Sequence, residues 1–474
     1  VKIELTGEVY PQLIQLAKTL KVEAYVVGGW VRDQFLKRNS KDIDIVVVGD
    51  GIAFAQAFSE QLKQKNDFVV FKNFGTAMVK TRHWEIEFVG ARKESYSKES
   101  RKPAVIPGTI RDDQLRRDFT INALAISLNE LNLFEVVDPF NGIQDIERKI
   151  IRTPLEPEIT FSDDPLRMMR AIRFASQLNF DIHPETFAAI KLHADRISIV
   201  SMERVSEELN KIMLSKKPSI GLNLLFESGL LALIFPELQA MHGVEVIKKK
   251  AHKDNFYHTL QVVDNVCLET DNLWLRWATL LHDIGKPATK RFIDAEGGWT
   301  FHGHEDKGSR MVSRIFRKLK LPLNEKMKYV EKLVALHHRP KVLAEDGITD
   351  AAIRRLIVDV GEDLEDLFTL CRADMTSKFP EKIKLYRGNL LKVQDLVKEV
   401  EERDALRNWQ PPVTGEDIMK HFNLSPCREV GLIKTELREA ILDGDVPNDY
   451  EAAFKKMEEI GKRILGSDKI LGFK

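Results

Sequence analysis

The sequence predicts an α+β chain, with a small head of mixed sheet and helices followed by a body that is almost entirely helical. Three observations predict it. Short apolar, strand-like runs alternate with helical segments up to a turn at DPFNGIQDI, where Asp138-Pro139 and Asn141-Gly142 fall. From Asp163 onward, helical periodicity takes over nearly without interruption. At 474 residues the chain is also too long for a single compact core, so several domains are expected.

The elements follow in order. Residues 11 to 20 have the periodicity of a short helix, and EAYVVGG reads as a buried strand ending in paired glycines. WVRDQFLK starts a helix, and DIDIVVVG is a second strand, with acids and apolar residues alternating. Residues 52–65 are predicted helical, and FVVFKNFGTAMVK and HWEIEFVGAR each read as one further strand. The segment 93–113 is polar, contains Pro and Gly, and is expected to be a functional loop. Amphipathic helices are predicted over 163–178, 184–195, 203–214 and 218–228, then in series to the C-terminus. No repeat of fixed period and no low-complexity tract is visible.

Composition narrows the function. Hydrophobic residues make up 43% and charged residues 30%, as expected of a globular protein rather than a disordered one. Lys+Arg and Asp+Glu are equal at 72 each, so any surface for nucleic acid must be local, and tight salt-driven binding of long RNA is disfavoured. Three cysteines without paired spacing (Cys267, Cys371, Cys427) exclude a disulfide framework or a cysteine zinc site. VKIELTGEVYPQLIQL lacks the features of a secretory signal, and no stretch has the length of a membrane span. The expectation is a reduced, cytoplasmic setting with no membrane partner.

Asp42 and Asp44 stand two apart on a predicted strand, so both carboxylates reach the same side, while Ile43, Ile45 and Val47 bury the other. Two hard oxygen ligands at one point suit Mg²⁺, which is completed by substrate phosphates and water. A lone DxD is equally an exposed acidic strand end. The preceding segment changes the balance. Gly28 and Gly29 let a phosphate approach the backbone at a helix start, and Arg32 can neutralise phosphate oxygens bidentately.

GGWVRD–DID, then RRDFTINALA (Arg116 to Ala125), DDPLRMMRAIRF (Asp163 to Phe174) and ERVSEEL (Glu203 to Leu209) appear in that order. In this the chain resembles the bacterial-type (class II) tRNA nucleotidyltransferase and poly(A) polymerase family, over about residues 25–215. The resemblance implies a polymerase β-like nucleotidyltransferase head, an all-α neck, an HD-type body and a helical tail. The corresponding boundaries are 1–145, 146–240, 241–385 and 386–474. It further implies that Asp42 and Asp44 hold two catalytic Mg²⁺ ions, and that Gly28, Gly29 and Arg32 contact the triphosphate. Glu87 falls where some relatives carry another carboxylate, and a surface strand acid is an equal reading. The implied chemistry is in-line attack of an RNA 3′-hydroxyl on the α-phosphate, releasing pyrophosphate.

Within RRDFTINALA, Arg116 and Arg117 supply cations, and Asp118 and Asn122 are expected to share a helix face opposite Phe119, Ile121 and Leu124. The resemblance implies phosphate and ribose contacts for them. Asp164 and Arg167 lie three apart on the predicted 163–178 helix. A carboxylate only accepts hydrogen bonds and a guanidinium only donates. Cytosine and adenine offer an amino donor beside a ring-nitrogen acceptor, whereas guanine and uracil offer the inverse. This pair can therefore admit CTP and ATP and reject the others, as the resemblance also implies. Arg170 and Arg173 are assigned to the nucleotide or to RNA phosphates.

A second constellation, His258, His282-Asp283 and Asp374 with HDIGKP, resembles the HD phosphohydrolase superfamily. Adjacent His and Asp can ligate one divalent metal, and His304 with His338 or His337 could serve a second metal or a phosphate. The expected function is addition of C, C and A to the tRNA 3′ end from CTP and ATP. Its rivals are a poly(A) polymerase, an enzyme adding only CC or only A, and an HD phosphohydrolase whose head merely binds nucleotides. FVVFKNFGTAMVK carries little positive charge where poly(A) polymerases are arginine-rich, which disfavours the first rival. The 93–113 segment, which the resemblance ties to switching from C to A, disfavours CC-only addition.

Overall fold

A computed structural model describes residues 1–466 except 41, 63–66, 73–74, 98–99, 346–348, 378 and 405–408, and only the backbone of 95–104. The chain forms two compact units, Val1–Gln239 and Ala240–Lys474.

The first unit is built on a seven-stranded mixed sheet. Its strands are β1 (Glu23–Val27), β2 (Asp42–Val48), β3 (Asp67–Phe71), β4 (Thr76–Lys80), β5 (Glu85–Gly90), β8 (Ala125–Ser127) and β9 (Val136–Val137), in the order β3-β4-β5-β2-β1-β8-β9. Between β5 and β8 in sequence lies a separate hairpin, β6 (Arg92–Ser97) with β7 (Ser100–Pro107). β2 runs parallel to β5 and antiparallel to β1. This register sets Asp42 beside Glu85 and Asp44 beside Glu87. Ile43, Ile45 and Val47 are fully buried. Helix Gly51–Gln61 covers the sheet, with Phe54 and Phe58 against Phe88 at ring separations of 5.9 and 5.6 Å.

Three expectations for this unit are corrected. FVVFKNFGTAMVK is not one strand but the hairpin of β3 and β4, with Gly75 at φ +64° between them. Lys72, Asn73 and Gly75 do mark the break in the sequence, but the apolar residues on either side make the segment read as one strand. The 93–113 segment is not a loop but the β6–β7 hairpin and a helix, Ile110–Leu115, started by a Thr109–Asp112 capping box. A two-stranded ribbon is held by its backbone ladder, so it shows none of the apolar alternation that marks a half-buried strand. The 163–178 helix is broken: one helix ends at Asp163 and the next runs Leu166–Leu178, with Asp164 extended between them (φ −138°, ψ 100°). Pro165 disfavours the helical conformation in the residue before it. The predicted 52–65 helix is present over Gly51–Gln61, and positions 63–66 lie outside the described residues.

Among its described residues the second unit is helical, as expected, apart from two small hairpins. These are Val246–Ile247 with Lys250–Ala251, and Arg291–Ile293 with Gly298–Thr300. Strands of two or three residues are too short to leave a periodic trace. The C-terminal helices Gly415–Phe422, Arg428–Asp443 and Tyr450–Leu465 share a core of Ile418, Ile433, Leu437, Met457 and Ile460. No described helix is long and apolar enough to cross a membrane.

Candidate functional site

One polar cleft of the first unit, with a volume of about 890 Å³, is lined by all thirteen residues assigned there from sequence. Gly28, Gly29 and Arg32 come from the β1–helix turn, and Asp42 and Asp44 from β2. Arg116, Arg117, Asp118 and Asn122 come from the following motif, Asp164 from just before the Leu166–Leu178 helix, and Arg167, Arg170 and Arg173 from that helix. Glu87 lines it too, as do Glu85, Met78, Phe174, Arg204 and Lys211, which the motif reading did not single out.

The sheet register gathers the acids. Burial pushes the Asp44 carboxyl up to about 6. Arg117 opposes that rise, and Glu87 and Asp42 add to it. A cluster of carboxylates this close, with one already difficult to ionise, is a donor set suited to a hard divalent cation. Gly28 has no substitute here: its φ is +77°, and a Cβ would stand 3.1 Å from both an Asp44 oxygen and an Arg117 nitrogen.

The cations are held by buried acids. Asp113, fully buried, accepts from Arg116 Nε (3.0 Å) and from Arg117 Nε and Nη2 (3.1 and 2.9 Å). No motif marks it, although its i, i+3 and i, i+4 spacing to the two arginines is legible in the sequence. Asp118 and Asn122 do not share a helix face, since the chain forms only a short 3-10 turn at Thr120–Asn122. Phe119, Ile121 and Leu124 are buried as expected, but Asp118 and Asn122 are buried as well. They meet through Asn122 Nδ2 donating to Asp118 Oδ1 at 3.0 Å. Arg32 Nη1 donates to Asn122 Oδ1 at 2.8 Å, and Arg170 Nε to Asp118 Oδ2 at 2.8 Å. Burial alone would raise the Asp118 carboxyl, but Arg170, Asn122 and Arg167 overcome it and hold it at about 2. A continuous polar chain thus links the arginine beside the glycines to the Leu166–Leu178 helix. Arg173 is ion-paired with buried Glu208 of the ERVSEEL motif.

Asp164 caps the Leu166–Leu178 helix instead of lying on it: its Oδ1 accepts from Leu166 N at 3.1 Å. Arg167 Nη2 donates to the Arg116 carbonyl at 2.7 Å. Both side chains still face the cleft.

The second unit gathers His258, His282, Asp283 and Asp374 around a pocket also lined by His304, His337 and His338. Asp283 is the hub. Its Oδ2 lies 3.2 Å from His282 Nε2 and 3.6 Å from His258 Nε2, and its Oδ1 lies 3.3 Å from His304 Nε2 and 3.9 Å from His337 Nε2. Asp374 Oδ1 is 2.9 Å from His258 Nε2. His282, His304 and His337 each donate Nδ1–H to the carbonyl three residues earlier, at 2.7, 3.0 and 2.8 Å, leaving Nε2 to face the carboxylate. That hydrogen bond fixes the tautomer a metal ligand needs. His282 Nε2 is buried and makes no well-aligned hydrogen bond, with the Asp283 carboxylate as its close neighbour. Burial would depress the His282 pKa, but the carboxylates of Asp283 and Asp374 beside it push it up. The donor set fits one divalent ion at His258, His282 and Asp283, and a second at Asp283, His304 and His337. Of the two histidines left open by sequence, His337 is therefore the one in the cluster. Gly285 makes the packing possible, since a Cβ there would meet the His304 carbonyl at 2.2 Å.

Fold and cleft together define a nucleotidyltransferase head joined in sequence to an HD-type helical unit. The model of the poly A polymerase head domain matches residues 24–152. That of the probable RNA and SrmB-binding site of polymerase A matches 179–241, and the HD domain 255–378. The chain is 33% identical to the A-adding tRNA nucleotidyltransferase of Deinococcus radiodurans, over 73% of this chain and 79% of that protein. It is 30% identical to the multifunctional CCA protein of Haemophilus influenzae, over 82% and 95%. Its fold matches the Bacillus stearothermophilus CCA-adding enzyme in complex with CTP, with a TM-score of 0.62 and 23% identity over 97% and 99%. The chain belongs to the tRNA nucleotidyltransferase and poly(A) polymerase family, whose members use divalent metal ions.

Proposed function

We propose that the chain adds C, C and A to the 3′ end of tRNA, using CTP and ATP and releasing pyrophosphate. The observation that carries this reading is a single cleft holding a carboxylate pair, a glycine–arginine cradle and the Asp164–Arg167 pair. The glycines leave room for the triphosphate, and Arg32, Arg116 and Arg117 balance its charge. Asp113 holds Arg116 and Arg117, and Asn122, itself held by Asp118, holds Arg32, so that little reorganisation accompanies nucleotide binding. Asp164 accepts from the exocyclic amine of C or A, and Arg167 donates to the ring nitrogen; G and U would leave both groups unpaired. Magnesium held by Asp42 and Asp44 would supply the charge that activates the RNA hydroxyl and offsets that of the leaving pyrophosphate.

In the second unit we assign His258, His282, Asp283 and Asp374 to one divalent ion, and His304 and His337, with the shared Asp283, to another, suited to phosphate-ester hydrolysis. The division at 1–145, 146–240, 241–385 and 386–474, and a cytoplasmic place of work, belong to the same reading.

The test is incorporation of labelled CTP and ATP, separately and together, into tRNA lacking its last three nucleotides. Two C and one A followed by a stop is the expected result. The Deinococcus relative, named for A addition, favours a second reading. Incorporation of A alone, and only into tRNA already ending in CC, would establish that instead. Unlimited A addition would make the chain a poly(A) polymerase.

A further inference from the structure

The two hairpins of the second unit have no part in either site. The turn joining Val246–Ile247 to Lys250–Ala251 consists of Lys248 and Lys249, both left-handed (φ 51° and 63°). A two-residue turn of this kind normally takes Asn-Gly, because a Cβ is disfavoured in that conformation. Here two lysines occupy the strained apex, exposed. Strain kept where a common dipeptide would relieve it points to a use for the side chains.

The second hairpin packs beside the first. Trp299 Nε1 donates to the Lys250 carbonyl at 3.1 Å, and the His252 ring lies edge-on to Trp299 and Phe301 at 5.2 and 5.8 Å. Lys290 Nζ stands 5.3 Å from the Trp299 ring. Residues 245–254 and 286–302 carry seven Lys and Arg against four Asp and Glu, in a chain that is neutral overall. Lys248 pairs with Asp294 and Lys290 with Glu245, but Lys249, Lys250 and Arg291 have no carboxylate partner among the described residues. The patch also reaches the HD cluster, where Lys253 Nζ lies 2.9 Å from His258 Nδ1.

We propose that these paired hairpins form a surface that binds the RNA phosphate backbone, with Lys248 and Lys249 at its leading edge. Exposed lysines, Lys249 without a carboxylate partner among the described residues and Lys248 paired only with exposed Asp294, suit phosphates, and partly exposed aromatic rings suit unpaired bases. The surface rests on the proposed function only for the identity of the RNA.

The test is Lys248→Asn/Lys249→Gly in the full chain, a change the turn itself favours, so the hairpin persists. Melting should be unchanged or raised. The Kd for tRNA at low salt should rise about tenfold, and the slope of log affinity against log salt should fall by about two, near 0.9 per lost phosphate contact. The kcat for nucleotide addition at saturating tRNA should hold. Unchanged affinity and slope would overturn the proposal. So would loss of binding to phosphatidylglycerol vesicles with tRNA affinity intact, which would mark a lipid-facing patch. A wild-type protein that bound tRNA but added no nucleotide would count against the proposed function and leave this surface standing.

Discussion

The two candidate sites solve the same problem, carboxylates gathered to hold cations, in opposite ways. In the head cleft the acids sit at a strand end on an open polar floor, and the fixed structure around them is a set of arginines. In the HD pocket the carboxylate is buried among histidines, and three of them, His282, His304 and His337, have their outer nitrogens tied to backbone. The first arrangement awaits an anionic substrate that brings its own metal shell. The second is preorganised for a resident ion. Metal should therefore be exchangeable in the head and retained in the second unit.

The largest effect is expected from Asp42→Ala. Losing a ligand that serves the transition state should cost several kcal/mol, about 10³-fold or more in nucleotide addition. Hydrolysis of p-nitrophenyl phosphate by the metal-loaded HD site should survive unchanged. Parallel loss of both would mean the two sites are not separable. Next comes Asp164→Ala, where discrimination of CTP and ATP against UTP and GTP should fall by roughly 10²-fold, read as a ratio of kcat/KM values. A uniform loss for all four nucleotides would assign Asp164 to capping its helix and not to selection. Metal analysis sharpens the contrast itself. After EDTA and gel filtration the wild type should keep close to one or two divalent ions, whereas His282→Ala keeps fewer. Addition by both proteins should return on supplying Mg²⁺ alone. Complete stripping of the wild type by brief EDTA would erase the proposed difference.

The same contrast governs what could be read in the sequence. Asp42 and Asp44 were legible because a strand's period of two needs no knowledge of the rest of the fold. His282-Asp283 was legible because the two are neighbours. The groups that hold these residues in place were harder to see. Asp113 lies within a run of charges, where spacing suggests a solvated pair, and only tertiary burial turns it into a clamp. Asp118 and Asn122 were expected on one face of a helix that the chain does not form, and the bond between them comes from the turn it forms instead. Pro165 did carry a local signal of the helix break, and the periodicity of the surrounding residues overrode it. The β6–β7 hairpin and the two small hairpins of the second unit gain their stability from ladder bonds and neighbours, which leave no period in the side chains.

The smallest effect concerns Asp118, the junction of the head's polar chain. Its carboxyl is held at about 2 against an ordinary value of 3.8, by Arg170 and Asn122 acting against burial. A depressed carboxylate pKa stabilises the fold above the unfolded-state value and loses that contribution as pH falls through the folded-state value. The window is therefore pH 4 down to 2. The shift corresponds to about 2 kcal/mol. Asp118→Asn should be less stable than the wild type by about that amount at pH 6, and the gap should close as pH approaches 2, where the wild-type carboxyl is protonated too. Urea unfolding of both proteins across this range measures it. A gap that stays constant with pH would mean the substitution acts through packing, and that the charge of Asp118 does not hold Arg170 and Asn122 in the cleft.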